Sequence, residues 1–185
     1  MEENIKNLKR TRIKKGKIIL RPVFKKDLVQ IICWLKDPEV HKFLSSDFSD
    51  LDLIKEKNWF LTMKTSINDF IFAIEDFQNK KYIGDIGFHR INWDEKTCEF
   101  GICIGDKNYW NKGYGTDVMR AAIDFAFKKL NLLKIKLFVY EYNARAIRAY
   151  EKCGFKKKEI LIKDHLYENT YWDTIVMVKY SQDFT

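Results

Sequence analysis

At 185 residues and 46% hydrophobic content the chain suits one domain with a sizeable core, and its two prolines and eight glycines exclude a low-complexity class. No apolar run is long enough to span a bilayer and no apolar stretch follows Met1, so neither a membrane partner nor a secretory signal is expected; cytoplasm is the expected compartment. The formal net charge of +8 favours an anionic partner: a phosphorylated cofactor, nucleic acid or an acidic surface.

Much of that charge sits at the beginning, where Lys6, Lys9, Arg10, Arg12, Lys14, Lys15 and Lys17 face only Glu2 and Glu3. Residues 1–16 therefore read as a solvated, mobile basic arm ahead of a single domain over 17–182. Lys17 to Val23 reads as a first strand stopping near Pro22. From Lys25 or Lys26 to Leu35, Leu28, Ile31, Ile32 and Leu35 recur at helical spacing, and Asp37-Pro38 interrupts the pattern. After a loop-like acidic stretch from Ser45 to Asp50, a second helix is expected over Leu51 to Lys64, completing a helical flap. Three strands follow, Asp69 to Glu75, Tyr82 to Ile91 and Thr97 to Ile104, joined by short polar turns into an antiparallel meander.

The stretch from Glu99 to Thr116 has the layout of an anion cradle: an apolar strand, a polar bend, then glycines opening into a helix. Gly113 and Gly115 allow the backbone to turn and its N–H groups to approach a ligand, and Thr116 is expected to cap the helix, whose N-terminus attracts phosphate. Lys112 adds a charge, and Tyr109, Trp110 and Tyr114 offer aromatic walls. A P-loop is rejected, because one residue separates the glycines and no Lys-Ser/Thr pair follows. The dinucleotide fingerprint matches at two glycines, with Val118 in the third place, and consecutive hairpins before the loop argue against it.

The helix from Thr116 or Asp117 carries Val118, Ala122, Ile123, Ala126 and Leu130 on one stripe, with Lys128 and Lys129 at its C-terminal end. Lys134 to Tyr140 is expected as a strand parallel to Thr97 to Ile104, since a crossover helix joins them. Asn143 should cap a short helix, Ala144 to Lys152, ended by Gly154; Asn143, Ile147 and Tyr150 share its face. Two strands, Phe155 to Lys163 and Tyr171 to Lys179, close the chain. Cys33, Cys98, Cys103 and Cys153 form no Cys-x-x-Cys pair and His41, His89 and His165 are scattered, so neither a disulfide framework nor a metal site is expected.

Two segments together, Tyr109-Trp110-Asn111-Lys112-Gly113-Tyr114-Gly115-Thr116 and Asn143-Ala144-Arg145-Ala146-Ile147-Arg148-Ala149-Tyr150-Glu151-Lys152-Cys153-Gly154-Phe155, resemble the GNAT superfamily of N-acetyltransferases. Leu20-Arg21-Pro22 and the tail Tyr171-Trp172-Asp173-Thr174-Ile175-Val176-Met177 are similar to its ribosomal-protein N-terminal acetyltransferase branch. The resemblance implies an α/β (α+β) fold with a mixed, centrally splayed β-sheet flanked by helices, and an acyltransferase using acetyl-CoA as co-substrate without a metal. It implies that the backbone N–H groups of Trp110, Asn111, Lys112, Gly113, Tyr114, Gly115 and Thr116 hold the pyrophosphate and that Ile102, Cys103 and Ile104 bond the pantetheine arm. Trp110 departs from the Gln or Arg common at the head of the family's loop.

By the same resemblance a neutral amine attacks the thioester directly, Tyr150 is the general acid for the departing sulfur, and Asn143 anchors the cofactor. Glu99, on the strand before the cofactor segment, is the candidate general base acting through water. Asp85 and His89, on the same face of the preceding strand, are weaker substitutes; Cys103 is read as a buried strand residue rather than a nucleophile. The implied acceptor is a protein N-terminus, with a polyamine, aminoglycoside or other small amine as the alternative. A nucleic-acid or ribosome-binding module with an inactive acetyltransferase-like body, using the basic arm, is a third reading. The oligomeric state stays open.

Overall fold

The computed structural model describes residues 2–44, 48 and 50–182. Most of the acidic stretch from Ser45 to Asp50 lies outside the described residues. The elements run α1 (Glu2–Lys9), β1 (Ile13–Lys15), β2 (Ile18–Pro22), α2 (Leu28–Leu35), α3 (Pro38–His41), α4 (Leu53–Thr65), β3 (Phe70–Asp76), β4 (Tyr82–Asn92), β5 (Thr97–Ile104), α5 (Tyr114–Lys128), β6 (Lys134–Tyr140), α6 (Ala144–Lys152), β7 (Lys156–Tyr167) and β8 (Thr170–Tyr180). One eight-stranded sheet has the order β1-β2-β3-β4-β5-β6-β8-β7. Short turns make the hairpin neighbours antiparallel, whereas β6 returns beside β5 through the α5 crossover and pairs with it in parallel.

Alternation along the strands divides the sheet into two faces. On one, Phe72 and Phe88 meet Phe125 of α5 edge-on, with ring centroids 5.2 and 5.5 Å apart. The stripe Val118, Ala122 and Ala126 buries the rest of α5 against the same core. On the other face the flap helices cover β2 to β4, and Trp34 of α2 packs on Tyr82 at 4.8 Å. The buried Arg21 guanidinium lies there, donating through Nη1 to Asp27 at 2.7 Å and through Nε to Glu75 at 2.9 Å, so one cation serves two buried carboxylates.

Two local expectations differ from the structure. Residues 1–16, read from their charge as a solvated arm, form α1 and the edge strand β1 instead: Ile5 is only 5% exposed within the core, β1 pairs with β2, and Lys15 bonds Asp124 of α5 at 2.7 Å. The lysines dominate the composition, but the apolar residues Ile5, Leu8 and Ile13 decide the docking. The cap of α5 is Gly113 in a left-handed conformation (φ 84°), and Thr116 lies inside the first turn; only glycine takes that backbone shape without steric cost.

Candidate active site

The parallel ladder between β5 and β6 stops at Phe100 opposite Leu137. Beyond it the strands diverge, so Gly101 to Ile104 pair with β4 on one side and with no strand on the other, while Phe138 to Tyr140 pair only with β8. Between them opens a cleft of about 850 Å³ lined by Gly101, Ile102, Cys103 and Ile104 on one wall and Phe138, Val139 and Tyr140 on the opposite wall. Strand edges without a strand partner carry amide groups able to bond an extended ligand.

The cleft continues onto the start of α5. Tyr114, Gly115 and Thr116 are its first residues, whose N–H groups have no acceptor inside the helix, and all three line the cleft with Asn111 and Gly113. A Cβ added at Gly115 would meet no heavy atom within 4 Å, so the backbone there faces open space, the form a phosphate cradle requires. Of the loop candidates, the Lys112 side chain and the Trp110 backbone N–H are not brought into it. Lys112 is absent from the lining, and its carbonyl accepts from Lys17 Nζ at 2.9 Å. The N–H of Trp110 donates to Lys107 O within a turn; its indole lines the cleft and donates to Ile104 O at 2.6 Å, with the Arg145 guanidinium 3.8 Å from the ring.

Sequence reasoning missed Lys17. Its Nζ lies behind the loop, and its backbone N–H donates to Asp117 Oδ2 at 3.1 Å, tying the β1–β2 hairpin to the first turn of α5. Arg145, Arg148 and Lys152 were also missed; all line the cleft from α6. Their signal was available in the three- and four-residue spacing of one helix face.

Asn143 caps α6, its Oδ1 accepting from Ala146 N–H at 3.2 Å, and lines the cleft. Tyr150, 8% exposed, reaches the same wall. Burial pushes its hydroxyl well above the ordinary tyrosine value, with Arg145 pulling down and Cys103 adding to the rise, so it stays protonated across the physiological range. Burial likewise holds the Cys103 thiol up at about 12, which leaves it a poor nucleophile.

On the far side of β5 from β6, Gly87 of β4 and Gly101 of β5 are register partners, as are His89 and Glu99. Glu99 is engaged at both oxygens, by Arg90 Nη1 at 3.0 Å and Lys136 Nζ at 2.9 Å. His89 Nδ1 stands 3.3 Å from Asp69 Oδ1, and Ser66 Oγ donates to Asp69 Oδ2 at 2.7 Å. Asp69, His89, Arg90 and Glu99 line the cleft; Asp85 does not. Asp85 accepts from Tyr82 O–H at 2.6 Å, leaves Oδ1 buried without a partner, and is raised to about 7 chiefly by burial. No cluster of three or more metal-ligating side chains occurs among the described residues, and no helix there is long and apolar enough to cross a membrane.

Comparison with known proteins agrees with this geometry. The family described as "Acetyltransferase (GNAT) domain" matches residues 17–156. Spermidine N(1)-acetyltransferase of Vibrio cholerae is 34% identical over 102 residues, 55% of this chain and 58% of that protein, so the match spans less than two thirds of the relative. The uncharacterized N-acetyltransferase p20 of Bacillus licheniformis is 27% identical over 150 residues, 78% of this chain and 82% of that protein. The crystal structure of the Vibrio cholerae spermidine N-acetyltransferase in complex with CoA and spermine superposes with a TM-score of 0.84 over 91% of this chain and 98% of that one; at 24% identity this likeness concerns the fold.

Proposed function

The chain belongs to the GNAT family of acetyltransferases, and from that premise we propose that it transfers the acetyl group of acetyl-CoA to a primary amine of a small polyamine-like cation. The observation that carries this reading is the strand-free edge of Gly101 to Ile104 running directly into the glycine-opened start of α5. An extended thioester with a diphosphate fits both at once, and it supplies an activated acyl group. The N–H groups of Tyr114, Gly115 and Thr116 would hold the diphosphate, with Arg145, Arg148 and Lys152 as cations along the cleft. Amides of Ile102 to Ile104 would bond the pantetheine arm and polarise the thioester carbonyl.

Tyr150, kept protonated by burial on the cleft lining, would be the acid for the departing sulfur. Asn143 borders the same wall and would orient the arm. Asp69, Glu99 and Asp164 put carboxylates on the lining of the cleft, which the rings of Phe43 and Tyr140 also line, a setting that favours an ammonium-bearing ligand. The Vibrio cholerae relative's activity supports a polyamine over the protein N-terminus expected from the ribosomal-protein branch. The docking of α1 and β1 leaves little of the basic arm free for the nucleic-acid or ribosome reading.

Two assays test this. Calorimetry should find saturable acetyl-CoA binding and none for NAD, and thiol release should be faster with spermidine than with a peptide bearing a free N-terminus. Peptide-selective release would return the acceptor to the N-terminal class, and folded protein that binds no acetyl-CoA would end the enzyme reading.

A further inference from the structure

Acetyl transfer needs a proton acceptor at the amine end, and the two glycines there have an occupant. The imidazole of His89 lies back across Gly87 and Gly101: a Cβ at Gly87 would sit 2.0 Å from Nε2, and one at Gly101 3.6 Å from it. The absent side chain at Gly87 is thus what lets the ring lie there, in ordinary contact range of Gly101, the residue that begins the strand-free edge. Its orientation is set by Asp69, which faces Nδ1 at 3.3 Å and is held in turn by Ser66 Oγ and by the Arg90 N–H at 3.3 Å. With Nδ1–H donated to that carboxylate, the lone pair of neutral imidazole is on Nε2. Glu99 lacks this freedom, because each of its oxygens is already held by a cation, Arg90 at one and Lys136 at the other.

We infer that His89 is the general base of the transfer, with Asp69 as its positioning residue and Glu99 a fixed carboxylate rather than the proton acceptor. The inference rests on the acetyltransfer reading above. A neutral amine nitrogen forms its bond to the thioester carbonyl carbon and the carbon–sulfur bond breaks. Nε2 takes one proton from that nitrogen, and the Tyr150 hydroxyl gives one to the sulfur, so the products are the amide and a free thiol. Imidazolium and tyrosinate return to their starting forms through solvent with no net proton change. The charged and titratable groups facing the ring are Asp69 ahead of β3, Arg90 on its own strand, Glu99 on β5 and, beyond Glu99, Lys136 of β6.

The test is the pH profile of kcat and kcat/KM for spermidine acetylation, read by thiol release, in the wild type and in His89→Gln, Asp69→Asn and Glu99→Gln. The His89 side chain is 37% exposed, so its replacement leaves the core intact. His89→Gln should lower kcat by about 100-fold and abolish the acidic limb of the profile, while calorimetric acetyl-CoA affinity stays unchanged. Asp69→Asn should lower kcat by about tenfold with the KM for acetyl-CoA unchanged, since the imidazole loses the carboxylate that orients it, and Glu99→Gln should keep the limb in place. A His89→Gln enzyme with kcat within about threefold of wild type and the limb retained, or loss of the limb in Glu99→Gln instead, overturns the inference. Failure of the wild type to release thiol with any amine removes the acetyltransfer reading itself and the inference with it.

Discussion

Tyr150 illustrates how one side chain's chemistry depends on its setting. A phenol in water is a weak acid; buried on α6, 8% exposed, it is weaker still, so the group stays protonated, as the proposed acid role requires. Tyr150→Phe keeps the ring and its packing on Phe155, and should lower kcat by about 100-fold or more while the acetyl-CoA dissociation constant changes less than about twofold, measured by thiol release and calorimetry. Gly115 makes the complementary case. A methyl group there meets nothing in the protein but projects where a phosphate would approach, so Gly115→Ala should raise the KM for acetyl-CoA about tenfold or more with Tm unchanged. At Gly113 the outcome should reverse in kind: with φ at 84°, alanine costs about 1 kcal/mol of stability before any ligand is considered, read as a lower Tm.

At the scale of elements, the flap helices hold more ionisable groups than their exposed composition suggests. Glu56 of α4 is 4% exposed, and burial raises its carboxyl from the ordinary 4.5 to about 7. The folded chain therefore keeps a proton that the unfolded chain gives up above about pH 4.5, and stability falls as pH rises from there towards 7. Glu56→Gln, which cannot ionise, should melt close to the wild type at pH 4 and a few degrees higher at pH 8, since about 1 kcal/mol is worth roughly 2–4 °C in a chain of this size. Arg21 behaves oppositely. Replacing it with Met leaves Asp27 and Glu75 buried without their shared guanidinium, an expected loss of about 3–5 kcal/mol in denaturant unfolding. The sequence located α2 by its helical spacing and anticipated α4 as a helix, but not these charges, because a glutamate on a helix reads the same whether its face meets water or a sheet.

For the whole molecule, the first sixteen residues decide between two pictures. As a free basic arm they would be removable at little thermal cost; as α1 and β1 they bury Ile5 and help close Leu8 and Ile13 over the core. Deleting residues 1–16 should lower Tm by roughly 10 °C, checked by calorimetric melting, with an unchanged Tm marking an arm that contributes nothing to the fold. The sequence by itself determined the strands β2 to β8 and the crossover, because alternation, helical spacing and turn residues act over a few neighbours: Thr97–Ile104, Lys134–Tyr140 and Ala144–Lys152 have the boundaries their patterns predict. It also marked the glycines that open α5 onto the cleft, since glycines at a strand-to-helix junction have few other uses. Only the tertiary structure decided which charges matter: that Lys17 rather than Lys112 backs the loop, that Glu99 is bound by two cations, and that His89 lies over two glycines contributed by different strands. The reason is distance along the chain. Lys17 and Lys112 are 95 residues apart, and long flexible side chains carry no local signal of the partner that packing will bring to them.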